Sequence, residues 1–194
     1  ESVNTYAINA GNLSAGSNYD VVLGGAVTFA ITQKSITVTA ATNSKEYDGT
    51  TSASAIPVVT GGLAFGDTAN FVEAYALPDV GTGLTLVPSG TVTSVNSGSN
   101  YAINFVNNTT GAITAKALTV TGLSLSDKVY DGNTTASITG TPALSGVIAG
   151  DVSNVSISGT AGGSFTAPTV GAKTITVTGL SLTGSASGNY TLTA

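Results

Sequence analysis

Apolar and polar residues alternate along this chain in short bursts. Ile36, Val38 and Ala40 are interleaved with Ser35, Thr37 and Thr39, Leu118 and Val120 with Thr119 and Thr121, and Ile175 and Val177 with Thr174, Thr176 and Thr178. A period of two sends successive side chains to opposite faces of an extended backbone. Each burst therefore predicts a strand with one buried and one wet face. Shorter runs at Tyr6-Ala7-Ile8, at Tyr19 to Leu23 and at Val27 to Ile31, broken by Gly24-Gly25, predict two or three further strands. The best helix candidate is DTANFVEAYA at Asp67 to Ala76, where Asp67 could cap the first turn but strong helix formers are few. The stretch that follows Gly150-Asp151, VSNVSISGTAGGSF, is not helical, so both are read as strand. Pro78 and Pro168, before Val80-Gly81 and Val170-Gly171, fall where strands would have edges.

The pattern is written twice. Residues 31–53 read ITQKSITVTAATNSKEYDGTTSA and residues 113–136 read ITAKALTVTGLSLSDKVYDGNTTA. The offset is 82 residues from Ile31 to Ile113 and 83 from Tyr47 to Tyr130, so one residue is inserted between those points. A period of this length is that of a small domain rather than of a solenoid repeat. The predicted organisation is a partial repeat over residues 1–34, a full one over 35–116 and a second over 117–194 whose last strand is missing. Residues 19–34 align with 101–116, the portion with no counterpart after Tyr190. With no flexible spacer at Ile31 to Lys34 or at Ile113 to Lys116, the units are expected to form a semi-rigid rod. The absence of Met and the position of the ends within repeats predict a piece of a longer chain.

An I-T-x-K strand, a K-x-Y-D-G-T/N-T turn, a later Gly-Asp and an S-G-x-N-Y strand together resemble the YDG-type repeat of large bacterial surface adhesins, exported proteins of the filamentous-haemagglutinin kind. Residues 3–34, with Thr5-Tyr6-Ala7-Ile8 and Ser17-Asn18-Tyr19-Asp20, resemble the tail of the related MBG-type repeat. The resemblance covers nearly the whole chain. It implies tandem β-rich stalk domains at the cell surface and supplies no catalytic residue to carry over. The expected fold is all-β: tandem small antiparallel domains, sandwich-like or β-grasp-like. The expected function is a structural stalk that projects a binding region from the cell. The competing expectations are a self-assembling extracellular filament joined by strand complementation, and a glycan- or ice-binding domain.

Composition narrows the chemistry. Asp, Glu, Lys and Arg make up 8% of the 194 residues, whereas Thr, Ser and Gly number 32, 22 and 25, so hydroxyls supply the wet surface. An apolar fraction of 41% is enough for small cores, which argues against disorder. The five basic residues are Lys34, Lys45, Lys116, Lys128 and Lys173, scattered against a net charge of −5. A nucleic-acid partner and an acidic membrane surface are thereby disfavoured, and no apolar run is long enough to insert as a helix. With neither Cys nor His there is no disulfide, no thiolate or imidazole zinc site and no Ser-His-Asp arrangement.

The remaining candidates are turns. In Tyr47-Asp48-Gly49 and Tyr130-Asp131-Gly132, Asp can bond its own backbone downstream and Gly accepts positive φ, while the Tyr packs on the sheet. A calcium site at Asp48 or Asp131 would lack the several carboxylates that calcium takes, so no metal and no cofactor is expected. Gly66-Asp67 and Gly150-Asp151 form a second repeated carboxylate, also read as a turn. The acidic residues lie singly, and no enzyme is expected. Lys34 and Lys116 hold equivalent junction positions. They are read as exposed strand ends that discourage edge pairing, or as the lysines of intramolecular isopeptide crosslinks. Asn-x-Ser/Thr sequons at Asn12, Asn107, Asn108, Asn133, Asn154 and Asn189 are what a chain this rich in Asn and Thr gives by chance. The Thr ladders are read as solvated sheet faces, and Tyr101 and Tyr190 as core. Expected partners are neighbouring repeats, further copies of the chain, or a host or surface glycan.

Overall fold

The computed structural model describes residues 3–8, 11, 17–19, 22, 24–25, 28–95 and 99–193. The Asn12 sequon, Val27 and most of the run from Asp20 to Leu23 lie outside them. Fifteen strands carry the structure of the described residues. They are β1 (Asn4–Ala7), β2 (Thr28–Ile31), β3 (Lys34–Thr39), β4 (Ser44–Glu46), β5 (Val58–Thr60), β6 (Thr68–Tyr75), β7 (Gly81–Thr93) and β8 (Tyr101–Val106). Then follow β9 (Asn108–Thr114), β10 (Lys116–Leu125), β11 (Thr135–Ala136), β12 (Ile138–Ser145), β13 (Ser156–Phe165), β14 (Ile175–Thr183) and β15 (Tyr190–Thr193). Two single 3-10 turns, Ala149–Asp151 and Ser187–Asn189, are the helical residues among those described. The protein is all-β, and DTANFVEAYA is β6 with one residue on either side, Asp67 and Ala76. Its Phe71, Glu73 and Tyr75 point inward, an alternation that suits a strand and no helix.

The chain divides into two compact units that cut across its sequence repeats. One contains residues 1–42, 54–74 and 86–108; the other contains residues 43–53, 75–85 and 109–194. In the first unit a sheet of order β5-β3-β8 buries Ile36 and Val38 against Phe71, with Val59, Leu63, Val92 and Ile103 around them. Phe105 meets Phe71 edge-on at 6.0 Å between ring centres. The alternating Thr37 and Thr39 sit on the other face of β3, as the period requires. Glu73 is buried in the same unit, and its Oε2 accepts the Ala41 N–H at 2.7 Å. The hairpin-like pair β1–β2 forms a two-stranded sheet of its own, with Tyr6 stacked on Phe29.

The second unit repeats this plan with a sheet of order β12-β10-β15, and adds β11-β13-β14. Lys34 is paired with Tyr101 in parallel between β3 and β8, and Lys116 with Tyr190 in parallel between β10 and β15, so the register is the same in both copies. These parallel pairs accompany the antiparallel ones that the sequence led us to expect. The strand β9 also pairs in parallel, Ser44 to Ala112 and Glu46 to Thr114, with β4. In the four-stranded sheet, of order β4-β9-β7-β6, the thirteen-residue β7 gives residues 81–85 to one unit and 86–93 to the other.

Two strand pairs carry a glycine kink. The pairing of β10 with β12 slips by one residue between Thr121 and Leu123, and that of β13 with β14 between Gly159 and Gly162. Gly122 and Gly179 sit there at φ 76° and 82°. A Cβ on either would run into a carbonyl oxygen of the neighbouring strand, that of Thr141 or Thr160.

Candidate interaction site at the Tyr-Asp-Gly turn

The two Tyr-Asp-Gly turns are built alike. Asp48 Oδ1 accepts from Lys45 Nζ at 2.7 Å and from the Thr50 backbone and hydroxyl at 2.9 and 2.8 Å. Lys45 Nζ also reaches the Thr50 carbonyl at 2.7 Å and lies 5.5 Å from the centre of the Tyr75 ring. In the second copy Asp131 Oδ1 is 2.7 Å from Lys128 Nζ and accepts from Asn133 N at 3.0 Å, while Lys128 lies 5.7 Å from the Phe165 ring. Gly49 and Gly132 take φ 75° and 80°, the left-handed region that the turn demands. The lysine salt bridge holds the Asp48 carboxyl down at about 2 and keeps Asp131 below the usual carboxylate range. Each Asp is thus engaged by an ammonium group and turn amides, and the place a cation would take beside it is filled by lysine. Among the described residues no three acidic side chains gather as metal ligands.

The tyrosines beside these turns differ completely. Tyr47 is 5% exposed and Tyr130 is 64% exposed, contrary to the expectation that both pack into a core. Tyr47 is buried because it enters a cluster assembled by the second copy. Its hydroxyl donates to Asp151 Oδ2 at 2.9 Å, and the Tyr190 hydroxyl donates to the same oxygen at 2.7 Å. The two rings meet edge to face at 5.4 Å, and Ile148 N donates to the Tyr190 oxygen at 3.2 Å. Asn189 adds a second clasp: its Oδ1 accepts from Val80 N at 2.9 Å and its Nδ2 donates to Asp79 Oδ1 at 2.9 Å. Burial first, and the Asp151 carboxylate second, push the Tyr47 hydroxyl up and that of Tyr190 to about 12. Both therefore stay protonated donors at neutral pH, suited to holding a carboxylate and unsuited to nucleophilic attack. All these residues belong to one compact unit.

Gly66-Asp67 and Asn100-Tyr101 form the corresponding pair in the first copy. Tyr101 donates to Asp67 Oδ2 at 2.5 Å, Ala64 N donates to the Tyr101 oxygen at 2.9 Å, and Val95 N donates to Asp67 Oδ1 at 3.0 Å. The Tyr101 hydrogen bond lowers Asp67, and Asp67 raises Tyr101. Asn100 Oδ1 accepts from Val3 N at 2.9 Å, the place that Val80 takes at Asn189. The repeated Gly-Asp is thus half of an Asp–Tyr clasp, a role that its reading as a turn did not foresee. The signal lay in the pairing of each Gly-Asp with an Asn-Tyr downstream.

Lys34 opens β3 and is exposed. Lys116 opens β10, where Nζ meets Glu46 Oε1 at 2.9 Å in an exposed ion pair.

The profile of the YDG domain matches residues 32–111 and again residues 114–194. No curated protein and no solved structure shows a significant match to the chain. The two adjacent matches take in most of its length and both copies of the clasp, and the chain belongs to the YDG domain family.

Proposed function

We propose that this chain is a structural stalk segment of an exported bacterial surface adhesin, whose work is to hold a binding region away from the cell. One observation carries the reading: Tyr47 of the first matched segment is held by Asp151 and Tyr190 of the second, with two residues between the segments. Successive repeats tied by buried side chains, and joined without a spacer, resist bending where a flexible linker would not. The low charge and the Thr-rich sheet faces suit a long secreted chain. On this reading the protein is extracellular, performs no catalysis and takes no cofactor, and any glycan or host receptor is met elsewhere. Small-angle scattering from dilute, monomeric protein tests it. A rod-like cross-section regime is expected, and the curve of a globule or of two freely hinged bodies overturns the reading.

A further inference from the structure

The strands that open and close the first repeat lie side by side and point the same way. In one compact unit β3 and β8 run in parallel, their register unbroken from Lys34 opposite Tyr101 to Thr39 opposite Val106. Backbone bonds extend the ladder at both ends, from Lys34 N to the Asn100 carbonyl at 2.9 Å and from Ala40 N to the Val106 carbonyl at 3.0 Å. Side chains add to it: Gln33 Nε2 donates to the Ser99 carbonyl at 2.8 Å, and Asn108 Nδ2 to the Ala40 carbonyl at 3.0 Å. In the other unit the next strands along the same two stretches pair again, β4 parallel to β9 from Ser44 opposite Ala112 to Glu46 opposite Thr114. There Ala112 N donates to the Asn43 carbonyl at 3.0 Å, and Tyr47 N to the Thr114 carbonyl at 2.9 Å.

A pull along the chain enters this repeat before Lys34 and leaves it after Thr114. The direction of pairing decides what that pull does. In an antiparallel pair the two loaded ends lie on the same side, and tension peels the ladder one bond at a time. In a parallel pair they lie at opposite ends, and tension slides one strand along the other against the whole ladder at once. Both pairs here are of the second kind. Ile36 and Val38, 2% and 0% exposed, close one face of β3 to water, which therefore cannot replace the rungs from that side. Residues 47–100 lie between the paired stretches and bear no tension while the pairs hold. We propose that the parallel pairs β3–β8 and β4–β9 are a force-bearing clamp, which gives the repeat a further function: to transmit tension along the chain without unfolding. The second repeat opens in the same register, from Lys116 opposite Tyr190 to Thr119 opposite Thr193. The clamp goes beyond the stalk reading, which concerns bending, and stands on the direction of strand pairing alone.

Single-molecule stretching of the full chain tests it, because resistance to forced unfolding follows the unfolding barrier and not equilibrium stability. The chain has no Cys, so two introduced cysteines, kept reduced until the handles are attached, fix the direction of pull. Gln33→Cys with Ala115→Cys loads both pairs in shear. Gln33→Cys with Ser99→Cys draws β3 and β8 apart from one end. The shear pull is expected to be resisted to a severalfold higher force, and then to release the repeat in one step of on the order of 250 Å as residues 34–114 straighten. Asn108→Ala, which removes one side-chain rung at the far end of the β3–β8 ladder, is expected to lower the shear force and leave the peeling force unchanged. Should the cysteines at 33 and 115 move the urea midpoint, Thr32→Cys with Thr114→Cys repeats the shear pull. Equal forces in the two directions, or a repeat that lengthens in several small steps under shear, overturns the proposal. Either result leaves the scattering test, and with it the stalk reading, untouched.

Discussion

The hydroxyls of Tyr47 and Tyr190 share one carboxylate oxygen of Asp151, and this sharing, more than the Asp-Gly turn beside it, gives Tyr47 its energetic weight. Truncating a buried aromatic of this kind removes its packing and leaves a cavity. Tyr47→Ala is expected to cost about 3–5 kcal/mol. Tyr130→Ala removes a mostly exposed ring, and the expected change is within about 0.5 kcal/mol in dilute solution. Urea unfolding of the two variants side by side checks the contrast, and equal losses would refute it. The turn itself was legible, because Asp bonding forward and Gly at positive φ are local properties. The fate of the two tyrosines was not. Their sequence neighbours are nearly identical, and what separates them is contact with Asp151 and Tyr190, more than a hundred residues from Tyr47 along the chain.

Among the strands, period-two alternation located β3, β10 and β14, and the comparison of copies placed DTANFVEAYA correctly in a strand. Alternation cannot say which way a partner runs, so the parallel pairs β3–β8 and β10–β15 had no signature. The glycine kinks had one that went unread: Thr-Gly-Leu-Ser-Leu occurs at 121–125 and again at 178–182, with a glycine inside each strand pattern. At Gly122 a side chain faces both the left-handed backbone and the Thr141 carbonyl. Gly122→Ala is expected to destabilise by at least the roughly 1–3 kcal/mol of backbone strain. A lowered urea midpoint with an unchanged slope is the expected reading, and an unchanged midpoint would contradict it.

Across the whole molecule, folding and sequence repetition follow different boundaries. The second compact unit takes residues 43–53 and 75–85 from the first repeat, which no inspection of a single repeat would suggest, since the borrowed strands complete a neighbour. Stability at high pH reports on that arrangement. Tyr190 has a folded-state value of about 12 against about 10 for an unfolded chain, so the folded protein binds more protons between those limits. Its contribution is complete below about pH 10 and is lost as the pH rises towards 12. Urea titrations across that window should show falling stability, with a shallower fall in Tyr190→Phe; equal slopes would count against the shared-carboxylate geometry.

The burial of Tyr47 by Tyr190 also sets an order in time. A ribosome that has made the whole first repeat has not yet made the residues that cover its signature tyrosine. At roughly 5–20 residues per second, Tyr47 waits on the order of ten seconds for Asp151 and Tyr190 to emerge. Over that interval the nascent chain presents Tyr47 uncovered, and its ring joins the cluster only when the second repeat has been made.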